Sequence, residues 1–252
     1  IPSMILPSLK RFGLGLLFYI IYIVLSPYGQ IKVIEEQKSF MMKIIFFILG
    51  GVHELRYVAG FCLSESSVIA SGYAWNGEYS DDKYGKGKHI EVANLMLVYS
   101  PNDFFRYWNI SVHFWLKRYV YHRLLPKNAT HIQKQLCQSR TFIISGIWHG
   151  FHPTYIISFT HFYLFTLVYT QIVKLDKLLN LKSKVNVNIA VNLARAAILL
   201  ILVPYHCLMF INIEFSKLIY FFKVTQGFGT IMAIIVNLVL YMIIARFTKK
   251  NI

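Results

Sequence analysis

The run TFIISGIWHGFHPTYIISFTHFYLFTLVYTQIV, residues 141–173, is the longest apolar stretch of the chain and holds no Asp, Glu, Lys or Arg. A helix that crosses the hydrocarbon core of a bilayer needs about 20 mostly apolar residues. This run is therefore too long for one upright span, and Pro153 divides it. Proline lacks the backbone N–H and its ring clashes with the preceding turn, so it bends or stops a helix. The pattern predicts a bent helix, or two segments that meet near Pro153.

Working outward, Val187–Ile213 and Phe228–Phe247 read as further spans, with Phe215–Val224 as a short interfacial piece between them. Upstream, Phe12–Tyr28 is a span ended by Pro27. Phe40–Gly51 is apolar, but His53, Glu54 and Arg56 follow at once. Tyr57–Trp75 carries Gly60, Ser64, Glu65, Ser66 and Ser67, too polar for a lipid-facing helix and suited to one packed inside a bundle or lining a wet cavity. Asn76–Lys88 (NGEYSDDKYGKGK) is rich in Gly, Asp and Lys and reads as a loop. Asn109–Leu125 is amphipathic, a pattern that suits a helix in the headgroup plane. Pro126–Arg140 reads as a polar, basic connector. The expectation is an all-α fold: a polytopic transmembrane helical bundle of five to seven membrane segments, forming a single domain over 1–252.

Composition points the same way. Of the 252 residues, 56% are hydrophobic and only 15% charged, with a mean hydropathy of +0.50. An average soluble domain is about a quarter charged. There are 26 Lys and Arg against 11 Asp and Glu. These cations flank the apolar stretches, as in Lys10-Arg11 and Arg246–Lys250, which fits anionic headgroups and the positive-inside rule. No nucleic-acid recognition module is present, so nucleic acid is not an expected partner. Cys62, Cys137 and Cys207 share no disulfide or zinc spacing and read as small apolar residues. Lys10-Arg11 before an apolar run superficially resembles a signal peptide, but no small-residue cleavage site closes it.

Polar groups inside a bilayer are expensive, which makes His149 the most informative residue of the central run. Histidine is the usual general base because its unperturbed pKa lies near neutrality. The alternative is a structural His donating one hydrogen bond inside the bundle. Asn109, in FFRYWN, can orient a substrate hydroxyl or help stabilise an oxyanion. The alternative there is a helix N-cap, for which Asn is favoured. No carboxylate lies between Asp103 and Asp176. An acidic partner for His149 would have to come from Glu54, Glu65, Glu78 or Glu214. His149, His152 and His161 have no acidic or thiolate companion, so no metal is expected. The segment from Arg106 to Arg140 has seven Lys or Arg and no acid, fitting either a headgroup-facing surface or contacts to the phosphates of a nucleotide-bearing donor.

At these residues the chain resembles a known family. WNISVHFWLKRYVY, residues 108–121, looks like the segment of membrane-bound O-acyltransferases (MBOAT) that carries a functional Asn. SGIWHGFHPTY, residues 145–155, looks like the segment that carries their essential His. The Trp-His-Gly pattern resembles the lysophospholipid acyltransferase branch, whereas sterol and diacylglycerol enzymes tend to follow the His with an acid. The resemblance extends roughly from Glu54 to Tyr241. Thr154 stands where the family commonly has Gly, and full-length members are nearly twice this long, so the chain looks like their C-terminal half.

The resemblance implies acyl transfer from acyl-CoA, as co-substrate, to the hydroxyl of a lysophospholipid, with no bound cofactor. His149 would be the base and Asn109 would position the acceptor or polarise the carbonyl. Trp108, Trp148 and Tyr155 would contact substrate in a chamber inside the bilayer, or serve simply in packing. Membrane lipids are expected neighbours, and homo-oligomer formation is left open. Rival expectations are a non-catalytic relative serving as a membrane scaffold or subunit, or an enzyme with a protein, sterol or diacylglycerol acceptor. Lys249 and Lys250 near the end of the chain look like a dilysine signal for the endoplasmic reticulum.

Overall fold

The computed structural model describes residues 3–78, 80, 82–95, 101–178 and 203–250. Every regular element among them is helical. The chain forms two compact units, one of residues 1–98 and 103–118, the other of residues 99–102 and 119–252.

In the first unit, α1 (Ile5–Leu25) begins earlier than Phe12, because the apolar residues upstream extend the same helix. It stops just before Pro27, as proline requires. Leu6, Leu9, Leu16, Leu17, Ile20 and Val24 are exposed along it. Each such side chain left in water would forfeit about 1.5–3 kcal/mol, so this surface belongs in lipid. After the short α2 (Ile31–Glu36) comes α3 (Phe40–Leu49), which runs through a 3₁₀ turn (Gly50–Glu54) into α4 (Leu55–Ala70). The two apolar stretches expected separately are thus one continuous helical rod, Phe40–Ala70, because His53 and Glu54 fall in a turn that tightens the helix without ending it. The polar face of α4 packs on α1, as its composition predicts. Ser66 Oγ donates to the Ser8 carbonyl at 2.9 Å, and the Ser8 hydroxyl lies 3.0 Å from the Ser66 carbonyl. Small hydroxyl residues let the two backbones come close, a common device between membrane helices.

The Asn76–Lys88 segment is a loop, pinned by the Lys88–Asp82 pair at 2.7 Å. Then come α5 (Val92–Leu95), α6 (Pro101–Tyr107) and α7 (Ile110–Leu116), which continues through a π turn (Lys117–Tyr121) into α8 (His122–Leu124).

In the second unit, α9 (His131–His149) corrects the expectation of a connector over Pro126–Arg140. Thr130 and Gln133 form a capping box: Thr130 Oγ1 accepts from the Gln133 amide at 3.3 Å, and Gln133 Oε1 accepts from the Thr130 amide at 2.8 Å. Two orphan amides are satisfied, so the helix starts in polar sequence and runs on into the apolar stretch. α10 (Pro153–Leu178) follows, with Pro153 at its first position, where a missing N–H costs nothing. Pro153 therefore does separate two segments. Tyr163 of α10 donates to the Gln135 carbonyl of α9 at 3.1 Å.

The helix α11 is described over 203–211, so most of the expected Val187–Ile213 span lies outside the described residues. α12 (Phe215–Thr225) and α13 (Phe228–Lys250) are helices over the segments read as a short piece and a last span. Asn237 of α13 donates to the Leu164 carbonyl at 3.2 Å. Among the described residues four helices are long and apolar enough to cross a membrane: Ile5–Leu25, Phe40–Ala70, Pro153–Leu175 and Phe228–Arg246. Cys62, Cys137 and Cys207 are all buried, and none is in a disulfide among the described residues.

Candidate functional site

His149 is the last residue of α9, and the chain must turn at once to enter α10. Gly150 makes that turn with φ +142°, a conformation open almost only to glycine. The Tyr155 ring lies over it, so close that a Cβ at Gly150 would sit 3.2 Å from Tyr155 Cε2. One turn earlier, Gly146 meets the α10 backbone, where a Cβ would stand 3.0 Å from Ile156 Cα. The two glycines bring the end of α9 against the start of α10, and the imidazole emerges at their junction.

Four aromatic rings frame that imidazole. Phe159 stacks on it at 4.8 Å between ring centres, and Phe210 of α11 meets it edge-on at 5.3 Å. Trp148 stands perpendicular at 4.9 Å, and Tyr155 lies at 6.0 Å. Trp148 is itself half exposed, and Tyr155 also packs on Phe210 at 4.9 Å. No hydrogen bond holds the His149 ring among the described residues. Its orientation comes from packing, which leaves the ring nitrogens available.

Thr154, where glycine was expected on family grounds, is fully buried, and its hydroxyl donates to the Ile213 carbonyl at 2.8 Å. It ties the start of α10 to the chain just past α11. The close approach that a glycine would serve is supplied here by Gly146 instead.

The three histidines considered as metal ligands differ in what holds them. His161 bonds the Ile157 carbonyl through Nδ1 at 2.8 Å and Thr230 Oγ1 through Nε2 at 2.6 Å. A carbonyl only accepts, so Nδ1 carries the hydrogen, and in the neutral ring Nε2 accepts from the Thr230 hydroxyl. Thr230 in turn is bonded to the Tyr205 hydroxyl at 3.0 Å. His152 packs on Tyr155 at 6.0 Å. No group of three or more metal-ligating side chains forms among the described residues.

Asn109 lies in the first unit. It occupies the N-cap position of α7, but its side chain makes no capping bond. Its backbone is left-handed, with φ +46° and ψ +53°. That conformation is uncommon for a non-glycine residue, and Asn tolerates it better than most. The cap alternative therefore describes the backbone position and not the use of the carboxamide. Beside it, Trp108 packs on Phe61 at 5.4 Å and stacks on Phe104 at 5.4 Å. His113, one turn into α7, is held below its ordinary value by burial and by the Lys117 and Arg106 cations.

One feature escaped sequence reasoning. Phe159, Phe210 and the buried His206, which stacks on Phe210 at 5.8 Å, surround His149 from later helices, and only their aromatic character marked them. Glu65 is not available to His149, since both of its oxygens are engaged within the first unit. Glu214 pairs with Lys217 at 2.7 Å.

Residues 2–212 match the membrane-bound O-acyltransferase family, MBOAT. Lysophospholipid acyltransferase 5 of Homo sapiens is 28% identical over 185 residues, which cover 69% of this chain and 37% of the relative. Lysophospholipid acyltransferase 2 of Arabidopsis thaliana is 26% identical over 204 residues, covering 78% of this chain and 43% of the relative. The lysophospholipid acyltransferase of Saccharomyces cerevisiae is 30% identical over 128 residues, 48% of this chain and 20% of the relative. The chain thus matches less than half the length of each of these curated relatives.

Proposed function

The chain belongs to the membrane-bound O-acyltransferase family, and from that premise we propose that it moves a fatty acyl chain from acyl-CoA to the free hydroxyl of a lysophospholipid, with His149 as general base. The names of the similar proteins support the acceptor class. The observation that carries the base assignment is an imidazole oriented by four rings, with no hydrogen-bond partner among the described residues, at the mouth of a candidate span.

The lysophospholipid hydroxyl oxygen attacks the thioester carbonyl carbon as its proton passes to a ring nitrogen of His149. The new C–O bond gives a tetrahedral centre. That centre collapses with loss of the C–S bond, and the imidazolium returns the proton to the departing CoA sulfur. General-base help of this kind is worth about 10²–10⁴-fold. Asn109 positions the acceptor hydroxyl or donates to the developing oxyanion through its uncommitted carboxamide. Trp148 and Tyr155 contact substrate beside His149 and exclude water that would hydrolyse the thioester, and Trp108 contacts substrate beside Asn109. The working membrane in this reading is that of the endoplasmic reticulum.

The test is His149→Ala in a membrane-inserted chain, assayed with labelled acyl-CoA and a panel of lysophospholipids. A loss of about 10²-fold or more in kcat is expected. Undiminished turnover would remove the base assignment. Transfer absent from the unsubstituted protein as well would favour the scaffold alternative.

A further inference from the structure

The structure carries an ion pair between its first two long helices that the acyl-transfer step does not use. Glu65 of α4 is only 5% exposed and pairs with Arg11 of α1. Its Oε1 accepts from two successive backbone amides, His89 at 2.6 Å and Ile90 at 2.8 Å. Its Oε2 accepts from Arg11, and Arg11 Nη2 donates to the Ile90 carbonyl at 2.7 Å. Ile90 is therefore gripped at both its N–H and its C=O.

The gripped segment in turn holds the Asn109 turn from both sides. The Ile110 amide donates to the His89 carbonyl at 2.8 Å, and the Glu91 amide donates to the Tyr107 carbonyl at 3.1 Å. Phe61, one turn before Glu65 on α4, packs on both the His89 ring at 5.9 Å and Trp108 at 5.4 Å. Ile90 is fully buried in the same cluster. A left-handed Asn persists only where its surroundings over-determine it. Here the surroundings are segment 89–91, and what fixes that segment is the Arg11–Glu65 clamp.

We propose that Glu65, with Arg11, is a positioning residue for Asn109, setting the direction of its carboxamide through the His89–Glu91 segment. The inference rests on the proposed role of Asn109. A buried ion pair is weak as a source of stability, because desolvation cancels most of its attraction. What it supplies is direction: three hydrogen bonds converge on one carboxylate, and the two from the His89 and Ile90 amides are lost if the segment shifts.

The test compares Glu65→Gln, Asn109→Ala and the double variant in lipid nanodiscs, with Ser8→Ala as a control that loosens the same helix pair away from the clamp. Misplacement of a positioning group by about 1 Å can cost about 10²-fold. E65Q is expected to lose kcat by about that factor with little change in KM for either substrate. The double variant is expected to turn over within about threefold of N109A alone, since both act through one group. Amide exchange at Glu91 and Ile110 should quicken in E65Q and stay unchanged in S8A. Should E65Q fail to reach the membrane, Glu65→Asp keeps the charge but withdraws the carboxylate by one methylene, and is expected to change in the same direction.

Multiplicative losses in the double variant, wild-type kcat in the single one, or unchanged exchange at Ile110 would each overturn the proposal. An inactive H149A beside a fully active E65Q would sink this inference alone. A fully active N109A would sink the role of Asn109 and the inference with it, leaving the His149 assignment standing.

Discussion

Replacing Gly150 by Ala should destabilise the second unit and impair the site together, and the structure gives the size. At φ +142° an L-residue is held in a region that costs about 1–3 kcal/mol. The added methyl would also stand 3.2 Å from Tyr155 Cε2 and 3.4 Å from Cδ2, so the ring must give way by a few tenths of an ångström. That ring is braced by Phe210 at 4.9 Å and lies 6.0 Å from His149, so any displacement is passed to the imidazole. Unfolding in detergent micelles, followed by intrinsic fluorescence, should show a loss of about 1–3 kcal/mol for G150A. Tyr155→Ala in the same background removes the steric part and leaves the backbone part, so the double variant should still show a penalty for the Ala. Gly13→Ala is the counter-case. Gly13 is helical with open space around its missing Cβ, so alanine there should be neutral or stabilising by about 1 kcal/mol or less. If G150A behaves like G13A, the account of the α9–α10 junction is wrong.

Thr154→Val keeps the shape of a fully buried side chain but strands the Ile213 carbonyl, and should cost about 1–3 kcal/mol in the same unfolding assay. An unchanged midpoint would mean that water reaches that carbonyl. Burial, then Lys117 and Arg106, hold His113 below its ordinary 6.5, so on acidification the unfolded chain takes up the proton first. The stability this group contributes is therefore complete above about pH 6.5 and falls as pH drops through the lower folded value; His113→Gln should flatten the slope between about pH 7 and 5. A wild-type slope in H113Q would assign the titration to another group.

Much of the architecture is legible from local pattern. Charge-free length marks the spans, and Pro153 marks the break between α9 and α10. The polarity of Glu65, Ser66 and Ser67 marks α4 as a bundle-facing helix before any contact is known. The start of α9 is also encoded in the capping box of Thr130 and Gln133, a signal that the reading of a polar, basic connector does not use. Asn109 shows the opposite failure: its type and place announce a cap, while its side chain makes no capping bond.

From the order of its residues alone the chain is determined to be helical and membrane-embedded, with an imidazole set where two apolar segments meet, because hydropathy, proline and glycine act over a few neighbouring residues. Only the folded chain decides what surrounds that imidazole and what holds Asn109. Phe210 reaches His149 from a later helix, and Glu65 binds amides of residues 89 and 90, on the far side of a loop. Contacts of that kind depend on how helices pack and where a loop returns, and no local periodicity encodes them.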